Sequence, residues 1–401
     1  MPRHKLPFKA WIVLILNVLY NVADSLCSVF VGVYLYLNSL DFSVVCYHYV
    51  VLYAVCPVAY VFAGWYSQVY DRVHVFRAGM VMHAVYYATL LWLQEDAAKY
   101  VVELGALLGV AWGLFYAGAN TFNYDVVEPH ERNYFFGIQQ AFVSTSKFIA
   151  PLLSGVLIGL FPVKLEGYIF IFAVATVIYA IGIAVSFAVP HDRIRRPFKF
   201  WRAMFPGRDQ RDWRLLMIVS ATFAGSFEIF GFLLGLIIYM KTSQESLVGS
   251  LTAAQALMTI AVSYAIGRWM IASQRGPAMY YATFLFVAAG LVLFYEISIF
   301  TLFLFAVLQS IALPLFGIPF SSVRFEAIDR SVEEPAQRIE YMCASEFPLG
   351  LGRVLMVLVL IALWNGMGEA GFRWAILILC LNRIGSYLIV RQLSGVWPER
   401  S

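Results

Sequence analysis

Four charged residues interrupt stretches that are otherwise apolar: Asp24, Lys147, Glu228 and Arg353. Two are carboxylates, which can take up and release a proton. Two are cations, which can hold an anionic group. Each stands about a dozen residues inside a run long enough to cross a bilayer, which puts all four near the midplane. A charge there costs about 2.5–3.5 kcal/mol on insertion scales, so four of them unpaired in lipid would cost on the order of 10 kcal/mol. That rivals the stability of a whole domain. They must face a water-filled cavity, one another, or both. Three roles are open to them. Asp24 or Glu228 carries a coupling proton, which requires any nearby Lys or Arg to separate from it during the cycle. Alternatively, Lys147 and Arg353 bind an anionic substrate group. In the third reading the four form structural ion pairs, Asp24–Lys147 and Glu228–Arg353.

Helical spacing groups further polar residues with these charges. Asn17, Asn21, Asp24 and Ser28 recur at i, i+4, i+7 and i+11. Gln140, Ser144, Lys147 and Pro151 repeat that pattern, and Trp112, Tyr116 and Asn120 recur at i, i+4 and i+8. These stripes are expected to line a cavity. Glu346, seven residues before Arg353, is expected to act as a gate or salt-bridge partner toward the cytoplasm. Arg383 is expected to snorkel to the inner interface. His48 and His83 read as hydrogen-bonded packing residues, with a pH switch as the alternative. Gly105, Gly109 and Gly113 have the small-xxx-small spacing of close helix packing.

The elements that must position these side chains follow from composition. The 401 residues are 61% hydrophobic and 13% charged, with a mean hydropathy of +0.76. Soluble domains are about 45–50% apolar and about 25% charged, so a water-soluble globule is excluded. Disorder is excluded as well. The net charge of +4 is not clustered as a nucleic-acid surface requires. Five scattered cysteines with no C-x-x-C pair argue against a disulfide framework or zinc site. No phosphate-binding loop, dinucleotide fingerprint or hydrolase motif is present, so no cofactor, no metal and no enzyme activity are expected.

Apolar runs predict an all-α membrane protein of twelve transmembrane helices, at 10–37, 44–66, 76–94, 100–122, 135–160, 167–189, 215–240, 247–272, 278–294, 300–320, 341–364 and 372–390. The first is too long for a signal peptide and reads as an uncleaved helix. With the N-terminus inside, 21 Lys and Arg fall on cytoplasmic segments and 4 on outer loops. The positive-inside rule then puts both termini in the cytoplasm, across a bacterial-type plasma membrane. The middle segment, 190–214, holds eight of those cations interleaved with Phe198, Phe200, Trp201 and Phe205. It reads as a stretch lying on the anionic leaflet or as a basic linker.

That segment separates two halves, 1–189 and 215–401, that echo one another. Glu128-Pro129-x-x-Arg132 and Lys147 recur 206 positions later as Glu334-Pro335-x-x-Arg338 and Arg353. Asp24 and Glu228 are 204 apart, while Gly32 and Tyr36 recur 203 later as Gly235 and Tyr239. Internal repeats of this kind mark secondary transporters, with the substrate site between the halves.

Several motifs carry a resemblance to the major facilitator superfamily. The run from Ser67 to Arg77 resembles that family's G-x-x-x-D-[RK]-x-G-[RK]-[RK] loop through Asp71, Arg72 and Arg77, with Ser67 and His74 in place of glycines. Ala150-Pro151-Leu152-Leu153-Ser154-Gly155 is similar to the G-P-x-x-G-G motif of its antiporters. The segment from Ala119 to Asn133 resembles the bacterial YqgE-type branch. The resemblance implies two pseudo-symmetric six-helix bundles, usually monomeric, with the first and seventh helices around a central cavity. It implies gating by Asp71 and Arg72, with Glu128, Arg132, Glu334 and Arg338 adding latching salt bridges. The expected activity is alternating-access, proton-coupled export of a small amphipathic or drug-like compound. Alternatives are an organic-anion carrier using Lys147 and Arg353, a glycolipid flippase, and a polytopic membrane protein that transports nothing.

Overall fold

The computed structural model describes residues 6–126, 131–189, 196–207, 210–332 and 337–397. All regular structure among them is helical. The elements are α1 (Phe8–Ser39), α2 (Phe42–Val69), α3 (Arg72–Leu93), α4 (Val101–Asp125), α5 (Arg132–Leu160), α6 (Lys164–Ser186), α7 (Phe200–Met204), α8 (Arg211–Phe227), α9 (Ile229–Thr242), α10 (Glu245–Trp269), α11 (Arg275–Tyr295), α12 (Ile299–Ser331) and α13 (Arg338–Val390). A chain this apolar satisfies its backbone hydrogen bonds within each segment, as lipid requires. Among the described residues, nine segments are long and apolar enough to cross a membrane. Two of them are compound. Arg72–Asn120 contains a 3-10 turn at Gln94–Tyr100, and α13 breaks at Gly368, whose φ is 57°.

Local chemistry sets several boundaries. Asp41 and Asp71 open α2 and α3 by accepting from the backbone N–H of Ser43 and Val73, each at 2.8 Å. Ser298 and Thr301 cap α12 reciprocally. The left-handed backbone at Gly368 suits a residue without a Cβ and ends the first arm of α13.

Two expectations need correction. The run 215–240 is not one helix: α8 stops at Phe227 and α9 starts at Ile229, with the Gly231 N–H donating to the Glu228 carbonyl at 3.1 Å. The stretch 321–340 is not simply a connection, because α12 continues to Ser331. Hydropathy reads where lipid stops, whereas a helix continues into water wherever its side chains are polar.

The chain divides into two compact units, Met1–Phe198 with Ser243–Ala253, and Lys199–Thr242 with Ala254–Ser401. In the first, α4 packs on α2 and α3, α3 also packs on α6, and α1 lies against α5 and α6. Glycines bring these backbones together. A Cβ on Gly105 would lie 2.5 Å from the His48 carbonyl oxygen, and one on Gly109 would lie 2.7 Å from that of Leu52. On the other side of α4, a Cβ on Gly118 would lie 2.7 Å from the Phe76 Cα. In the second unit α8 packs on α13, and α11 packs on α12 and α13. That echoes α1 on α5 and α6, and α3 on α4 and α6. All five cysteines are buried thiols outside any disulfide.

Candidate substrate and coupling site

The four midplane charges do not behave alike. In the second unit, Arg353 lies on the first arm of α13 and is 8% exposed. Its guanidinium donates to Glu228 Oε1 at 2.6 Å. Glu228 stands at the break between α8 and α9. Glu346, two turns before Arg353, approaches it at 3.9 Å. One buried cation is thus held between two carboxylates, a short charge-assisted bond on one side and a longer contact on the other.

In the first unit, the matching pair is open. Asp24 is half-buried on α1 and Lys147 is exposed on α5. Among the described residues no ion pair within 4.0 Å joins them, although Lys147 is the cation whose charge reaches Asp24. The pairing Asp24–Lys147, expected by analogy with Glu228–Arg353, is therefore not formed. On α5, Ser146 is 7% exposed whereas Lys147 is exposed.

The α1 stripe is also less open than its spacing implies. Asn17 is 3% exposed and donates its amide to the Val13 carbonyl at 2.8 Å. Asn21 donates in the same way to the Asn17 carbonyl at 2.7 Å. Asn17 therefore does not line an open surface. The α4 stripe fits the expectation better. Tyr116 and Asn120 are exposed and Trp112 is half-buried. Asn120 donates to the Tyr60 hydroxyl at 3.0 Å. The Trp112 and Tyr116 rings meet edge to face, 6.0 Å apart, and Tyr53 lies 6.5 Å from Trp112. The Trp112 indole N–H has no acceptor among the described residues. This is an aromatic surface with a spare donor, suited to a flat or amphipathic molecule.

The expected gating residues scatter. Asp71 is 1% exposed and caps α3. Arg72 opens that helix. Arg77 grips the end of α6, donating to the Ser186 hydroxyl at 2.9 Å and the Ser186 carbonyl at 3.0 Å, with its guanidinium over the Phe187 ring. A cation at a helix C-terminus is a favourable placement, and it ties Arg77 to its own unit. Arg338 pairs with Asp329 at 2.8 Å, joining α13 to the end of α12. Glu128 and Glu334 lie outside the described residues, as does the side chain of Arg132 at the start of α5.

Two residues noted in the sequence have surroundings that their spacing does not reveal. Arg383 does not snorkel. It is fully buried, with Phe223 and Phe286 at 4.3 and 4.5 Å from its guanidinium carbon and Phe316 at 6.0 Å. None of its three guanidinium nitrogens has a hydrogen-bond partner among the described residues. The second feature is Gly155, which ends the run 150–155. A Cβ there would lie 2.6 Å from the Glu245 carbonyl oxygen and 3.2 Å from the Gly249 Cα. Glu245 itself is 3% exposed and pairs with Lys164 at 3.2 Å. The glycine thus seats the first turns of α10 on α5.

Comparisons with known proteins agree with this architecture. A sequence profile described as the Major Facilitator Superfamily matches residues 13–324. The uncharacterized protein YqgE of Bacillus subtilis (strain 168) is 26% identical over 345 residues, covering 85% of this chain and 79% of that protein. Among solved structures, the POT family transporter PepTSo superposes with a TM-score of 0.75 at 12% identity, over 97% of this chain and 98% of that one. The human organic anion transporter MFSD10 gives a TM-score of 0.68 at 15% identity, over 96% and 100%. At such identities the structural likeness is one of fold.

Proposed function

The chain belongs to the Major Facilitator Superfamily and is a transporter, not an enzyme; from that premise we propose that it is a proton-coupled secondary transporter that exports an amphipathic compound by alternating access. Nine apolar segments, two of them compound, together with the α8–α9 pair, support twelve spans. The lysine and arginine distribution supports cytoplasmic termini in a bacterial-type plasma membrane. The observation that carries the coupling assignment is the contrast between the two carboxylates. Glu228 is committed to Arg353 at 2.6 Å, whereas Asp24 has no ion pair or hydrogen bond among the described residues. A carboxylate free of a fixed cation can gain and lose a proton during a cycle. The exposed Trp112–Tyr116 face of α4 supports an aromatic or amphipathic cargo.

A second reading is favoured by one observation. Lys147 is exposed, with no ion pair among the described residues, so it is available to an anionic group. In that reading the protein carries an organic anion, and Arg353, already held by Glu228 and Glu346, takes a structural part.

A thermal-shift screen of the purified protein, with compounds sorted by charge, tests both readings. A ligand at 100 times its Kd stabilises by about 2.7 kcal/mol, a readily measured effect. Amphipathic or cationic hits weakened by Asp24→Asn support export. Anionic hits abolished by Lys147→Ala support the second reading. Full gradient-driven transport by both Asp24→Asn and Glu228→Gln proteins would overturn the coupling assignment.

A further inference from the structure

Two histidines of the first unit, His48 on α2 and His83 on α3, have no exposed surface. Their hydrogen bonds fix which ring nitrogen carries the proton. His83 Nδ1 lies 2.8 Å from the Gly79 carbonyl oxygen. A carbonyl only accepts, so Nδ1 bears the hydrogen and Nε2 presents its lone pair. The Tyr20 hydroxyl, 3.3 Å from Nε2, then donates to it. Tyr20 is itself buried, stacked on Phe115, and hydrogen-bonded to Tyr116. Tyr116 is thus the phenol next to Tyr20 from which a hydrogen can follow once that of Tyr20 has passed to His83. Tyr116 is 39% exposed. The three groups therefore form a chain of hydrogen-bonding groups from an exposed phenol to a sealed imidazole.

His48 is a built-in comparison. Its Nδ1 faces the Val101 carbonyl oxygen at 3.3 Å, and its Nε2 accepts from the Tyr86 hydroxyl at 3.4 Å. The tautomer is the same, but Tyr86 has no exposed surface, so this pair has no corresponding exposed phenol.

We propose that Tyr116, Tyr20 and His83 are a proton relay, with His83 Nε2 holding the coupled proton inside the first unit. The inference rests on the proton-coupled reading above and names the path within it. A proton from water binds the Tyr116 oxygen as the original Tyr116 hydrogen passes to the Tyr20 oxygen. The original Tyr20 hydrogen passes to Nε2. Both phenols end neutral, and the imidazole becomes imidazolium, carrying the one charge that entered. Reversal returns the proton to water. The titratable groups around His83 are Tyr20 and, one turn further along α1, Asp24; Tyr116 on α4; Tyr179 on α6, whose ring stacks 5.3 Å from the imidazole; and Tyr87 on α3 itself, which stacks on Tyr179. Lys147 on α5 is the cation whose charge reaches Asp24.

The test uses the full chain in lipid nanodiscs with 15N-labelled histidine, the six signals being assigned through His83→Gln. The expected result is an Nδ1–H tautomer for His83 that converts reversibly to imidazolium as pH is lowered from about 8 to about 4. In proteoliposomes, pH-gradient-driven movement of ethidium, an amphipathic cation, is expected to fall at least about tenfold in both His83→Gln and Tyr20→Phe proteins. His48→Gln is expected to match the wild type. A His83 that stays neutral throughout overturns the relay whatever the vesicles show. A His83 that titrates while both variants move ethidium normally also overturns it, and leaves coupling to Asp24 intact. Wild-type ethidium movement that ignores the pH gradient overturns the coupling reading and the relay with it.

Discussion

Neutralising the two midplane carboxylates has opposite expected effects on stability. Glu228 lies 2.6 Å from a guanidinium that is 8% exposed. With an effective dielectric constant of about 20, a unit charge pair is worth about 6 kcal/mol at that distance and about 4 kcal/mol at the 3.9 Å separating Arg353 from Glu346, before desolvation. Removing one partner of a buried pair costs about 3–5 kcal/mol, because the other charge is stranded. Glu346 remains to compensate part of that, so Glu228→Gln should cost about 2–4 kcal/mol. Asp24 has no partner to strand, and Asp24→Asn should be neutral or slightly stabilising. In detergent, the first substitution should lower Tm by roughly 5–10 °C and the second should move it by less than about 2 °C. A double-mutant cycle of Glu228→Gln with Arg353→Gln isolates the pair and should show strong coupling. An additive cycle, or an Asp24→Asn loss as large as that of Glu228→Gln, would refute the reasoning.

Two further outcomes are expected. Arg383→Met should leave Tm unchanged or raise it, since a buried guanidinium without hydrogen-bond partners is exchanged for a thioether among Phe223, Phe286 and Phe316; a loss of more than about 3 kcal/mol would show that the cation is paired. Because all five native cysteines are buried, a membrane-impermeant maleimide should label L40C in intact cells and should label W201C only after the membrane is opened; the reverse pattern would invert the topology.

The spans were legible because a bilayer imposes length and apolarity on any sequence that crosses it. The Gly105–Gly109–Gly113 spacing was legible for a similar reason, since close backbone approach leaves no room for a Cβ. Pairing of the charges was legible in one unit and not in the other. Asp24 with Lys147 and Glu228 with Arg353 occupy corresponding positions in sequence, yet Lys147 is exposed where Arg353 is buried, and the first pair does not close. The break at Glu228 could not be read from its apolar flanks. Arg383 was misread because its partners, Phe223, Phe286 and Phe316, come from three different helices, and no local spacing connects them. His48 and His83 read from the sequence as hydrogen-bonded packing residues, and the tautomer of His83 follows from a carbonyl one turn away, but that of His48 depends on the Val101 carbonyl, which only folding brings near.

The glycine contacts along α4 have a mechanical consequence. At Gly105 and Gly109 this helix meets α2 backbone to backbone, and at Gly118 it meets α3 in the same way. A contact without intervening side chains has no rotamers to rearrange and little room to shear. The three helices therefore form a stiff plate. Whatever strain a transport cycle places on the first unit must be taken up outside that plate. Amide hydrogens along the α2–α4 seam should be the last in the unit to exchange.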